Sequence, residues 1–263
     1  MTIGEYGDFL NFSSIAVLTA IDNTIENVAR ELGYQVGESL SSLVKTIADG
    51  ANSTDSSVLV KLAATSTTSF TALSLASIRN EVQSMAGRSI KPFNKAKQLF
   101  RGVIHPFALG DVAADNSNNS PIDILKHTTE GLDWMEELVS TQLDRVVEIP
   151  TSGVEFYQSN LVTQTVNYNP GGGAVSGLTA LSTYIFGQDG VFRVRLACPN
   201  DTSYGEGLWE GIMCKTFKNV SPTQADPLGQ VPAWCSYLIH FTAGASPDPT
   251  QRLRVIQAGS AVS

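Results

Sequence analysis

IENVARELGYQVGESLSSLVKTIADGAN, Ile25 to Asn52, is the stretch on which the fold turns. Ile25, Val28, Leu32, Val36, Leu40, Leu43 and Ile47 recur at steps of three and four. Such steps line one face of an α-helix. The spacing predicts a helix over about 22–50, with Asp22 or Asn23 to cap its start and Gly50 to end it. Some 25 residues at 1.5 Å rise make a rod of roughly 38 Å. Gly33 and Gly37 fall inside it, and each costs about 1 kcal/mol relative to Ala in a helix interior. Four residues apart, they share a side and leave room for another backbone. The apolar steps drift from strict heptads over only about three and a half repeats, so packing against a sheet is favoured over a coiled coil.

Working outward, YGDFLNFSSIAVL (Tyr6–Leu18) reads as a short strand and a turn. On the other side ANSTDSS is a polar loop and VLVKLAA (Val58–Ala64) a strand. A second helix is predicted over about Thr71–Ala86, with Leu75, Ile78, Val82 and Met85 on one face and Gly87 at its end. LFRGVIHPFAL (Leu99–Leu109) reads as a strand. In NSNNSPIDIL, Ser120 is placed to cap a helix and Pro121 to fill its first position. LDRVVEI (Leu143–Ile149) is a strand cut off by Pro150, and PGGGAVSG (Pro170–Gly177) is a loop. TALSTYIFG and VFRVRLA are strands joined by QDG, a hairpin signal. WCSYLIHF and RLRVIQA are the best strands of the tail. Helices come early and strands late, with no internal repeat. The class is α+β, and the lack of a βαβ series argues against a Rossmann or barrel enzyme.

The 263 residues are enough for one large domain or two moderate ones. Only 16% are charged, a thin charge that fits a chain hiding much of its surface against partners. The net charge is −8, from 25 acids and 17 bases, which is the wrong sign for wrapping nucleic acid. The densest basic stretch, Arg88 to Arg101 with Lys91, Lys95 and Lys97, has only Phe93 and Phe100 as aromatics and reads as a solvated turn. Sequence-specific DNA binding is not expected. Cys198, Cys214 and Cys235 are odd in number and form no CxxC pair, so neither a disulfide scaffold nor a zinc site is expected, and a reducing cytoplasm fits. MTIGEYGDFL has two acids and no basic patch before an apolar run, unlike a signal peptide. No stretch approaches the ~18 apolar residues that a membrane-spanning helix needs.

The candidate chemistry centres on RGVIHPFALGDVAAD (Arg101–Asp115). His105, Asp111 and Asp115 are its possible metal ligands, while His127 and His240 are remote and form no HxH or HExxH pattern. In a strand, His105 has Val103 and Phe107 beside it and is a satisfied structural histidine. Asp111 and Asp115 share a helical face, which solvation explains equally well. PGGGAVSG lacks the GxGxxG register and the GK[ST] ending, and Ser176 is not in a GxSxG elbow because position 174 is Ala. Asp133, Glu136 and Glu137 lie on a predicted helix beside Trp134 with no catalytic partner in the sequence. Trp134, Trp209 and Trp234 are core or interface anchors. No catalytic residue, cofactor site or metal site is assigned, and no enzyme activity is expected.

Four stretches, in order, carry a resemblance over nearly the whole chain. YGDFLNFSSIAVLTAID runs into the long helix segment; FRGVIHPFALGDVAAD holds a His-Pro pair and then acids; YIFGQDGVFRV and QADPLGQVPAWCSYLIHF follow. Together they resemble the major capsid proteins of tailed phages of the coliphage N-four type. The resemblance implies an HK97-like (Hong Kong 97 type) fold. Residues 1–54 would begin a peripheral domain and hold its spine helix, about 55–200 would form an axial domain, and 201–263 would return to the peripheral domain. His105 and Pro106 would lie in an axial-domain strand, with Asp111 to Asp115 beginning a surface helix. The implied function is assembly into hexamers and pentamers of an icosahedral head around double-stranded DNA. The implied partners are copies of itself, a portal, cement or scaffolding proteins, and packaged DNA held by non-specific contact, with no membrane. The implied location is the virion, built in the bacterial host cytoplasm. Members carry a substantial segment before the YGDF-like stretch, whose arm and hairpin loop reach neighbouring subunits. Five residues precede Tyr6 here, so the chain is expected to be a fragment, to have a misassigned start, or to have those elements supplied otherwise. Two other readings stand beside this one: an encapsulin-like nanocompartment shell around a protein cargo, and a cytosolic α+β metal-dependent enzyme using His105.

Overall fold

The apolar face of Ile25–Ile47 becomes one continuous helix, α1 (Thr24–Thr54), in a computed structural model of the chain. The structure describes residues 4–13, 24–54, 59–61, 71–94, 97–115, 146–149, 152–166, 179–193, 208–209, 212–218, 233–241, 243–245 and 252–259. On α1, Leu32, Val36 and Ala48 are buried, and Leu40, Leu43 and Ile47 are half-buried on the same side. The helix does not end at Gly50 but continues to Thr54. The expected caps Asp22 and Asn23 lie outside the described residues. Among the described residues no backbone is seated on Gly33 or Gly37, since a methyl group added at either would meet nothing within 4 Å.

The other helices are α2 (Leu75–Gly87) and α3 (Pro106–Ala114). The strands, in chain order, are β1 (Gly4–Phe12), β2 (Leu59–Lys61), β3 (Phe100–Ile104), β4 (Val146–Glu148), β5 (Val154–Gln158), β6 (Gln164–Val166) and β7 (Thr179–Phe186), then β8 (Val191–Arg193), β9 (Leu208–Trp209), β10 (Ile212–Lys218), β11 (Ala233–Phe241), β12 (Ala243–Ala245) and β13 (Leu253–Gly259). The chain divides into two compact units, one of residues 1–44 with 193–244 and one of residues 45–192 with 245–263.

The first unit holds an antiparallel sheet in the order β1-β11-β10-β9. β1 runs along the full length of β11, from Gly4 opposite Phe241 to Phe12 opposite Ala233. Cys235, Tyr237, Ile239 and Phe241 are buried at alternate positions, so one face of β11 packs inward. The Tyr237 hydroxyl lies 3.4 Å from that of Ser39 on α1.

The second unit holds a mixed sheet of seven strands, ordered β2-β13-β7-β3-β5-β4 with β6 also on β7. β13 and β2 are parallel, as are β3 and β5; the other pairs are antiparallel. Alternation sorts the central strands onto two buried faces. Leu181 and Ile185 of β7 and Ile256 and Ala258 of β13 join Leu75, Ile78 and Met85 of α2 and Ala108, Leu109 and Val112 of α3 in one core. Tyr184, Leu253 and Val255 face the opposite way, against Ala48 of α1 and Val162. The predicted apolar face of the second helix is thus the face that packs, with Ser74 as its cap.

The QDG hairpin does not form. β7 pairs with β3 and β6 along one edge and with β13 along the other, so no edge is left for β8. The turn instead holds Asp189 at φ 61, and the Gly187 N–H donates to the Arg252 carbonyl at 2.7 Å.

Candidate functional site

The His105 segment is the one place where the sequence offered chemistry. β3 carries the chain to Ile104, which is fully buried. His105 is extended, at φ −75 and ψ 143, and is not a strand residue as expected: it caps α3. The reason is Pro106. It has no N–H for a sheet ladder, and its fixed φ suits the first position of a helix. The His105 Nδ1 accepts the Phe107 N–H at 3.1 Å, and the His105 carbonyl accepts the Leu109 N–H at 3.0 Å. The ring meets Phe107 edge-on, with centroids 4.9 Å apart.

Because Nδ1 accepts a hydrogen bond, the ring proton sits on Nε2. The atom placed 3.1 Å from that nitrogen is Gln164 Nε2; two donors cannot pair, so the Gln164 amide is assigned turned over, with its oxygen accepting the ring proton. The side chain is buried, and burial pulls its pKa below the ordinary histidine value, so the ring is neutral. Both nitrogens are therefore engaged in holding the β3–α3 corner.

Asp111 and Asp115 do not begin a helix. Asp111 lies inside α3 and Asp115 is its C-cap. Ten residues of helical rise put His105 and Asp115 roughly 15 Å apart, too far to share an ion. Among the described residues no three His, Cys, Asp or Glu side chains come together as a metal site. His127, Asp133, Trp134, Glu136, Glu137 and Ser176 lie outside the described residues. Trp209, Trp234 and His240 lie on β9 and β11.

Two polar clusters went unseen in the sequence. Asp49, near the end of α1, accepts from the Thr163 hydroxyl at 2.5 Å and from the Tyr184 hydroxyl at 2.8 Å. Burial, with the Asp49 carboxylate beside it, drives the Tyr184 phenol far above its ordinary range, so it acts as a permanent donor. Arg254 of β13 is buried and lies 3.4 Å from Glu81 of α2. Burial raises the Glu81 pKa although Arg254 and Arg88 pull it down. The partners are far apart in sequence, as with Asp49 and Tyr184 at a separation of 135 residues, so no local spacing could reveal them. Both clusters join elements of the second unit.

What the first unit presents outward is a surface. Tyr6, Phe9 and Leu10 of β1 and Tyr34 of α1 are exposed, and so, in the second unit, are Phe93 and Phe107. No described helix is long and apolar enough to cross a membrane.

No family model matches the chain, and no curated protein matches it. Solved structures do. The capsid of cyanophage Pam1 aligns with a TM-score of 0.60 at 10% identity, over 99% of this chain and 76% of that one. The acid-stable capsid of Helicobacter pylori bacteriophage KHP30 gives 0.58 at 10% identity, over 97% and 74%. The SrpI encapsulin of Synechococcus elongatus PCC 7942 gives 0.55 at 10% identity, over 97% and 73%. At such identities the likeness speaks to architecture, and the architecture is the HK97-like fold of phage capsid proteins.

Proposed function

We propose that this chain is the major capsid protein of a tailed phage of the coliphage N-four type, and that it builds an icosahedral head of hexamers and pentamers around double-stranded DNA. The observation that carries this is the alignment of nearly the entire chain, 99% of it in one case, with a phage capsid subunit. In this reading the first compact unit serves as the peripheral domain and the second as the axial domain. The chain acts by assembly and not by catalysis. Closure multiplies weak contacts per subunit, so no single interface has to be strong. A net charge of −8 keeps the inner wall from clamping DNA that must leave again. A portal, cement or scaffolding proteins and the packaged genome are its partners, and the virion, built in the host cytoplasm, is its place.

The encapsulin alignment supports a second reading, a nanocompartment shell around a protein cargo. The contents of particles formed in cells producing the chain separate the two. Empty shells or nuclease-protected DNA support the phage head. One protein co-purifying at a fixed ratio supports the nanocompartment. A chain that forms no particle in any such preparation overturns both.

A further inference from the structure

His105 stands where several short pieces of the second unit meet. The Ile104 carbonyl before it accepts the Ser159 N–H at 3.0 Å. Its ring contacts Gln164, the first residue of β6. β6 is three residues long, and among the described residues it pairs only with β7. Thr163, one residue back, donates its hydroxyl to Asp49 near the end of α1 and accepts the Ser182 N–H on its carbonyl. Segment 159–166 therefore ties the His105 corner to the anchor of α1. His105 is only 6% exposed, whereas Gln164 is exposed. Water thus stands one side chain away from the buried ring.

The corner is built for a neutral ring. Nδ1 serves α3 as an acceptor, so a proton added there would set one N–H against that of Phe107. The new charge would also sit, buried, at the positive end of α3. The surrounding elements offer it little compensation. β6 has no ionisable side chain, and β7 has only Tyr184. Tyr184 and Asp49 bond to each other in the cluster against Ala48, on the other face of the sheet. On β3 and β5, Arg101 pairs with Glu155 and lies by the Tyr157 ring, at positions that alternate away from Ile104. On α2, Arg79 lies in the second turn and Glu81 is held by Arg254 of β13. On α3 the acids are Asp111 and Asp115, and helical rise sets even Asp111 roughly 9 Å further along the axis.

We propose that protonation of His105 opens this corner: the charged ring turns out to water, and the first turn of α3 and segment 159–166 loosen with it. The open form solvates the ring and takes the proton at the ordinary histidine value of about 6.5. The closed form resists it, since burial lowers the pKa there. Acid therefore shifts the population toward the open form, by at most about tenfold for each pH unit below that value. The segment that loosens is the one whose Thr163 pins α1, so the effect reaches the helix end at Asp49. The device lies within one chain and acts whether or not copies build a shell.

Hydrogen–deuterium exchange of the full chain, read by mass spectrometry at about pH 7.5 and about pH 5 and corrected for intrinsic rates, tests it. Peptides covering 104–115 and 159–166 are expected to exchange at least about threefold faster at the lower pH, with 45–54 following, while 253–259 on β13 stays unchanged. His105→Asn keeps a capping side chain that cannot titrate, and in it the difference is expected to vanish. The wild-type comparison needs no variant and decides first. Equal rates at the two pH values would overturn the proposal. A rise that includes 253–259 to the same degree would mean general loosening and would overturn it too. A difference that persists in His105→Asn would place the proton elsewhere. Faster exchange at the corner with 45–54 unchanged would overturn the link to α1.

Discussion

Gly102 has no room for a methyl group. It lies in β3 between Phe156 and Ile185, and an added Cβ would stand 2.6 Å from the Phe156 ring and 2.9 Å from the Tyr184 carbonyl. Phe156 is fully buried and cannot swing away. Gly102→Ala is expected to destabilise the chain by about 1–3 kcal/mol, read as a lower denaturant midpoint; an unchanged midpoint would deny the close approach. His105 makes a second prediction, through pH. Its pKa is lowered in the folded state, so the unfolded chain takes up the proton more readily. Its contribution to stability is full above about pH 6.5 and is lost as the pH falls below that value. His105→Asn keeps a capping side chain but cannot titrate. The variant is expected to lose less stability than wild type between about pH 6.5 and 5, and parallel curves would contradict the neutral buried ring. The sequence made the His-Pro pair visible. Pro106, which makes the histidine a helix cap, is a local signal; the contact with Gln164 that engages the ring's other nitrogen spans 59 residues and left no local trace.

At the scale of elements, periodicity told most. The apolar faces of α1 and α2 were legible because a helix face is written in local steps of three and four. What pins α1 was not. No local spacing marks Asp49, yet it receives the hydroxyls of Thr163 and Tyr184. Asp49→Ala strips both donors of a charged acceptor and is expected to cost about 2–3 kcal/mol in a chemical denaturation experiment. A loss within error of zero would mean that Ala48 and the sheet hold the helix end without it. The Glu81–Arg254 pair joins α2 to β13. Arg254→Met alone leaves a largely buried carboxylate without its main cation and is expected to cost about 3–5 kcal/mol. The double variant E81L/R254M should recover most of that, since apolar side chains of similar volume need no partner. Additive losses in a double-mutant cycle would show that the two groups do not interact. The failed QDG hairpin teaches the same lesson. A turn signal describes three residues, whereas pairing depends on which edges of β7 are already taken by β3, β6 and β13.

For the whole molecule, composition narrowed the field and the order of segments suggested the architecture. A helix-early, strand-late pattern gave α+β, but the seven-stranded sheet could not be read from it. Its longest ladder joins β7 to the last strand, β13, which the resemblance had assigned to the peripheral part and which lies with the larger compact unit. Long-range pairing of this kind is fixed by burial on both faces of the sheet, and local signals carry no trace of it. The thin charge and the exposed β1 belong to the same scale, because they concern what the chain meets outside itself. The central claim is that many copies of this chain form a shell. Electron microscopy of the purified chain, taken across a range of concentrations after size separation, tests it most directly. The account expects rings or closed shells on the order of hundreds of ångströms across, built from repeated copies. A uniform monomer at every concentration, both for this chain and for one extended upstream of Met1, would contradict it.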